Sequence, residues 1–333
     1  MTDSRANFSA SRRQFGRQLL SVGALAAALP GAATAATSPF PAKPITVLLP
    51  FPPGGSADAM VRAITHVAMA ELGQPVVIMH RPGGGGVTGT ASLTQNVAPD
   101  GHTLALMHNA VLRQPLLQKV GWDPLVDFTY ITGLASLSTL ITVRADAPWK
   151  NLQELLADAK ARPGAISYGT VGATSANRIA GEQLARLVGG QFNMVPYKGG
   201  AEAITALMGG HLDVYGDPGV GPVALSGKLR VLASFTDQRL QRFPAVPTVK
   251  ELGYGLSVYS PFGIVGPRGM DAAVVDRLHT VFSQAATDPI YQKVLEDYDF
   301  MPYRMDPAAY RQYAQEQFAR EKTLLQKLGF KPE

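Results

Sequence analysis

The sequence predicts an α/β protein of two lobes, each a mostly parallel sheet flanked by helices. Two observations carry that expectation. A strand–helix–strand–helix–strand run spans residues 45–107, and a second run of the same design begins near Ser136. With 333 residues, 46% hydrophobic and 17% charged, the chain has material for two packed cores.

The first run opens with a short strand, Ile45 to Leu49, and a helix from Ala57 to Leu72 that stops at Gly73-Gln74. A β-branched strand follows at Pro75 to Met79, then a helix over Thr88 to Asn96 and a strand at Thr103 to Met107. The second run starts with a strand at Thr139 to Val143 and a helix to Ala161, for which Asn151 and Glu154 form a capping box. Next come a strand at Ile166 to Gly169, helices at Ala176 to Leu187 and Ala201 to Met208, and strands at Leu212 to Gly216 and Lys228 to Phe235. From Asp271 onward the pattern is helical, and the last helix runs from Pro307 to Leu328 behind Asp306 as cap.

Between the first strand and helix lies Pro50-Phe51-Pro52-Pro53-Gly54-Gly55-Ser56-Ala57-Asp58. A strand ending in small residues before a bare helix start leaves backbone N–H groups and the positive end of the helix dipole facing a crevice, which suits a carboxylate or phosphate. The alternative is an ordinary βα loop whose glycines only make the turn. The same design recurs at Thr170-Val171-Gly172-Ala173-Thr174-Ser175, so two such turns can face each other across a cleft.

Gly84, Gly86 and Gly89 match the dinucleotide fingerprint, but a complete strand and helix precede them. The next strand also ends at Met107-His108-Asn109 without the acidic residue that holds a ribose, so these glycines read as a loop turning at a domain edge. Gly54-Gly55-Ser56 lacks the Lys and Ser/Thr of a nucleotide loop, and no G-x-S-x-G, S-x-x-K or H-E-x-x-H occurs. The six histidines show no metal spacing and there is no cysteine, so neither a metal nor a cofactor is expected. Of the formal charge of +5, Arg5, Arg12, Arg13 and Arg17 against Asp3 place +3 in the first 36 residues. The near-neutral remainder argues against nucleic acid as a partner.

The N-terminus reads as an export signal of the twin-arginine type over residues 1–36. Ser11-Arg12-Arg13-Gln14-Phe15 precedes a short apolar run, Leu19 to Leu29, and Ala33-Thr34-Ala35 offers a cleavage site, with cleavage expected after Ala35 or Ala36. The run is shorter than the roughly 20 apolar residues of a membrane span. The mature chain is therefore expected to be exported, with no span of its own.

A resemblance runs through the chain after the signal. Lys43-Pro44-Ile45, Pro50 through Asp58, Gly73-Gln74-Pro75-Val76-Val77, Arg81-Pro82-Gly83, Ala98-Pro99-Asp100-Gly101, Tyr197-Lys198-Gly199-Gly200 and Val246-Pro247-Thr248 stand in the order seen in the tripartite tricarboxylate transporter substrate-binding proteins, the Bug family. The sequence resembles that family over nearly all of its mature length. The resemblance implies a periplasmic binding protein of type II topology, with one lobe from 37–142 and 257–333 and the other from 143–256. It also implies a monomer that closes on a small carboxylate (a di- or tricarboxylate, an amino acid or an aromatic acid) and works with a two-part membrane permease. Carried over by position, the ligand-binding residues are Pro53, Gly54, Gly55, Ser56, Ala57 and Asp58 in the first turn and Thr170, Val171, Gly172, Ala173, Thr174 and Ser175 in the second.

Two further residues have open roles. Asp217 stands where the family has an acidic residue at a strand end, and it either receives a ligand amine or hydroxyl or fixes the hinge backbone. Ala176-Asn177-Arg178 replaces the usual Pro-Gln-His, and Arg178 either pairs with a second carboxylate or is a solvated first-turn residue. His108 through Arg113 also departs from the family's small polar residues, which reshapes the cleft. The competing functions are an exported hydrolase of a carboxylate ester or amide, and a periplasmic sensor partner using the same pocket.

Overall fold

Nearly continuous burial marks the first strand of the first sheet. In the computed structural model, which describes residues 40–217 and 219–329, β1 (Ile45–Leu49) is buried at every position but Thr46. The export signal expected over 1–36 lies outside the described residues. After β1 come α1 (Ser56–Leu72), β2 (Val76–His80), the single turn α2 (Thr88–Ala91) and β3 (Thr103–Met107). Then follow α3 (Asn109–Leu117) and the long β4 (Phe128–Leu137). Val47 stands between Ile78 and Leu104 in parallel register, so the sheet's centre is aliphatic on both sides.

The chain then passes to a second sheet through Ser138 and Thr139. This sheet contains β5 (Leu140–Arg144), α4 (Leu152–Ala161), β6 (Ser167–Thr170), α5 (Ala176–Leu187), β7 (Asn193–Pro196) and α6 (Gly200–Met208). It closes with β8 (Val214–Tyr215), α7 (Gly221–Leu225) and β9 (Leu229–Ser234). The chain returns as β10 (Ser260–Pro267), followed by α8 (Ala272–Ala285), α9 (Pro289–Asp297), β11 (Met301–Met305) and α10 (Pro307–Lys327). Because β5 lies wholly in the second sheet, the crossing falls at 138–139, whereas the expected boundary of 142/143 cuts through that strand.

The strand orders are β11-β4-β10-β3-β1-β2 and β7-β6-β8-β5-β9. In each sheet a strand arriving from the other one, β10 or β5, sits beside the third strand of the local run, which is the type II arrangement. That exchange corrects the expectation of mostly parallel sheets: β10 is antiparallel to β3 and β4, β5 is antiparallel to β8 and β9, and both sheets are mixed. Helices cover both faces of each sheet. One core of the first sheet packs Met60, Ile64, Leu278 and Phe282 under β1, and the other packs Val111, Tyr310 and Ala314 on the opposite side.

Other expectations shift. The helix expected over Thr88 to Asn96 breaks after Ala91 into a 3-10 turn, where the Ser92 and Thr94 hydroxyls donate to the carbonyls of Gly89 and Ala91. The C-terminal part is not helical throughout, since β11 pairs with β4 at the sheet edge. The Asn151 cap forms as read: its Oδ1 accepts the Glu154 N–H at 2.9 Å while the Glu154 carboxylate takes the Lys150 N–H at 2.7 Å.

Candidate binding site

Four helices begin at one cavity between the sheets. The N-caps of α1, α3, α5 and α6 are Gly55, His108, Ser175 and Gly199, all in extended conformation and none with a side-chain cap. Away from the cavity, α4, α8, α9 and α10 are each capped by Asn or Asp. Unfilled helix starts keep their first N–H groups and the positive dipole end for an outside acceptor. Pro53, Gly55, Ser56 and Ala57 line the cavity from the first turn, Val171, Ser175 and Ala176 from the second, and Lys198 through Glu202 from the start of α6. The volume is about 320 Å³.

The remaining expected residues have other work. Gly54 turns the chain at φ +84° and donates its N–H to Asp58 Oδ2 at 2.9 Å. Asp58 is buried and also takes Arg62 Nε at 3.0 Å, so it braces the turn from behind and does not line the cleft. Thr170 is fully buried under the second turn. Gly172, at φ +83°, lies so close to the opposite lobe that a Cβ there would stand 2.4 Å from the Gly85 Cα. Ala173 and Thr174 are outside the lining, and the Thr174 carbonyl accepts a hydrogen bond from Arg113.

Of the two roles open to Arg178, its surroundings suit the one away from a ligand, since it does not line this cavity. It lies on the first turn of α5, its Nε donates to Glu182 at 2.8 Å, and it lines a separate cavity with Arg186, Phe192 and Leu328. The i, i+4 spacing to Glu182 turns it along the helix and away from the ligand cleft.

Asp217 does line the cleft, just past β8. It is 9% exposed, Tyr215 donates to its Oδ2 at 3.3 Å, and among the described residues its Oδ1 has no partner. Burial pushes its pKa up to about 7, against the pull of the Tyr215 hydroxyl.

The walls contain residues that the sequence reading passed over. Gly85, from the glycine loop read as a domain-edge turn, is where the first lobe meets Gly172. His108 is buried against Phe51 and Phe262, with ring centroids 5.1 and 5.8 Å apart, and its Nε2 donates to the Gly86 carbonyl at 2.8 Å. Burial, with the Arg113 charge, pushes its pKa down to about 4 in spite of that carbonyl, so the ring is neutral at pH 7. Its Nε2 is thus committed, and among the described residues no cleft hydroxyl is hydrogen-bonded to His108 as a nucleophile to its base. Leu137 and Phe262, at the strand crossings, complete an apolar floor. Gly199 and Gly200 carried a readable signal, since Tyr197-Lys198-Gly199-Gly200 repeats the strand, small-residue turn and helix start a third time. Among the described residues, no group of three or more His, Asp or Glu side chains is placed to hold a metal ion, and no helix is long and apolar enough to cross a membrane.

The model of the tripartite tricarboxylate transporter family receptor matches residues 60–330. The chain belongs to this family. It is 42% identical over 304 residues to the UPF0065 protein in the gbd 5' region of Cupriavidus necator, covering 91% of this chain and 92% of that one. The periplasmic binding protein BugD superposes with a TM-score of 0.83 at 28% identity, over 88% of this chain and all of its own. MatC from Rhodopseudomonas palustris, solved with bound malate, superposes with a TM-score of 0.80 at 28% identity, over 86% of this chain and all of its own. As a member of the receptor family, the protein is a periplasmic solute-binding receptor.

Proposed function

We propose that the solute is a small carboxylate, captured by the facing turns of the two lobes and handed to a two-part permease of the tripartite tricarboxylate type. The observation that carries this reading is the convergence of α1, α5 and α6, uncapped, on a cavity whose walls include Phe51, His108, Leu137 and Phe262. In that apolar setting a carboxylate gains more from backbone N–H groups and helix dipoles than it would in water. Malate in MatC supports the same class of solute. The first turn contributes Pro53, Gly55, Ser56 and Ala57, and the second Val171 and Ser175. Gly54, Asp58, Thr170, Gly172, Ala173 and Thr174 shape those turns. The receptor acts as an exported monomer without turnover, delivered by the twin-arginine signal with cleavage near Ala35.

Calorimetry on the mature chain tests this reading with mono-, di- and tricarboxylates and their primary amides. The acids are expected to bind and the matched amides to be at least tenfold weaker, with no product formed from the corresponding esters. Equal affinity for acid and amide, or hydrolysis of an ester, removes the carboxylate-receptor reading.

A further inference from the structure

The first turn of the site has few bonds of its own. Three of the four residues from Pro50 to Pro53 are prolines without an N–H, and among the described residues none of 50–54 makes a backbone–backbone hydrogen bond. The turn is held from behind, by three side chains that do not line the cavity: Asp58, Arg62 and His80. Gly54 donates its N–H to Asp58, Asp58 takes Arg62 Nε at 3.0 Å, and Arg62 Nη2 reaches His80 Nε2, at the end of β2, at 3.4 Å. His80 Nδ1 closes the chain 2.9 Å from the Phe51 carbonyl. A carbonyl only accepts hydrogen bonds, so Nδ1 carries the ring proton and Nε2 accepts from Arg62. A second proton would make Nε2 a donor toward Asp58 Oδ1, 3.3 Å away, and would leave the bond to Phe51 as it is.

We propose that His80 is a positioning residue of the receptor: by engaging the Phe51 carbonyl outside the cleft, it keeps that acceptor away from the solute and leaves N–H groups as what the first turn presents. This rests on the carboxylate reading of the cleft and extends it to how the turn tells an anion from a neutral solute. Phe51 lines the cavity beside His108, so its peptide stands at the wall. A carbonyl oxygen released there would repel a carboxylate and accept from a primary amide. His80 therefore sets the preference between the two without touching either.

The test uses straight-chain mono- and dicarboxylates of four to eight carbons and the corresponding primary amides, titrated calorimetrically into the wild type, His80→Asn, His80→Gln and His80→Leu. An asparagine side chain ends near the place of the imidazole Nδ1 and a glutamine near that of Nε2. His80→Asn thus keeps a donor for Phe51, whereas His80→Gln aims its amide at Arg62 and Asp58. For the best-binding acid, the ratio of acid to amide affinity is expected to fall at least tenfold in His80→Gln and His80→Leu, and to stay within about threefold of the wild type in His80→Asn. Equal weakening of acid and amide, or rescue by His80→Gln in place of His80→Asn, would mean that His80 only supports the fold, and either result overturns the inference. If the wild type prefers the acid and every variant keeps its ratio, the His80 inference falls and the carboxylate reading stands. If the wild type itself does not prefer the acid, the carboxylate reading falls and takes this inference with it. The contrast between His80→Asn and His80→Gln decides the matter should His80→Leu fail to fold.

Discussion

His108 and Asp217 share one cavity, and burial moves both away from their usual titration ranges with opposite consequences for stability. His108 holds its pKa near 4 when folded, so between about 4 and 6.5 the unfolded chain carries a proton that the folded one lacks, and stability rises with pH. Asp217 holds its pKa near 7, so between about 4 and 7 the folded protein keeps a proton that the unfolded chain has lost, and stability falls with pH. Asp299, raised to about 6 by burial despite Arg242, acts in the same sense as Asp217. Each group contributes at most about 1.4 kcal/mol per pH unit, so His108 offsets only about one of the two acidic terms. Thermal melting of the ligand-free protein from pH 4 to 6.5 is expected to show a more positive slope in Asp217→Asn than in the wild type. His108→Gln is expected to show a more negative one. Three parallel curves would mean that neither group titrates as its surroundings dictate.

At the scale of elements, the turns are glycine-dependent for different reasons. Gly54 is needed for its φ of +84°, since a Cβ there would meet nothing within 4 Å, whereas one at Gly172 would run into the Gly85 backbone of the other lobe. Gly164, at φ +77° with open space around it, is a control that carries similar backbone strain without the contact. Gly172→Ala and Gly164→Ala are both expected to lose about 1–2 kcal/mol of stability, the cost of a left-handed alanine. Only Gly172→Ala is expected to weaken solute binding by tenfold or more, because it holds the lobes apart. Equal binding by the two variants, measured by calorimetry, would free Gly172 of any part in closure.

The strands and helices of the two local runs were legible because their apolar residues follow strand or helix periods and are punctuated by caps and glycines. The elements that stitch the lobes together were not. β10, to which no element was assigned from sequence, contains Pro261, Gly263, Gly266 and Pro267, yet it pairs on both sides only from Gly263 to Val265, so neither proline interrupts a two-sided ladder. Pro302 hides β11 in the same way, and it is tolerated at a sheet edge. In the site, the two turns were legible as repeated local patterns. The parts of His108, Gly85 and Arg178 were not, because each depends on which distant segment lies opposite.

At the scale of the whole molecule, two arginines make hydrogen bonds between the lobes. Arg242, from the segment joining β9 to β10, donates to the Glu296 and Asp297 carbonyls at 2.8 and 2.6 Å at the end of α9. Arg113 on α3 is more deeply placed. Its guanidinium is paired with Glu321 of α10, Nε to Oε2 at 2.8 Å, with both side chains at most 3% exposed, and a further N–H goes to the Thr174 carbonyl in the second turn. The ion pair belongs to the first lobe, whereas the Thr174 bond exists only while the lobes are together, so the two roles are separable. Arg113→Met leaves Glu321 as an unpaired buried charge and is expected to cost about 3–5 kcal/mol of stability. Adding Glu321→Leu removes that charge and is expected to restore most of the loss, because apolar replacement of a buried pair is often close to neutral. The double variant still lacks the donor for Thr174. Chemical denaturation should therefore show it nearly as stable as the wild type, while titration with the best-binding acid shows several-fold weaker affinity and small-angle scattering shows less compaction on binding. Wild-type affinity and compaction in the stable double variant would confine Arg113 to holding α3 and α10 together.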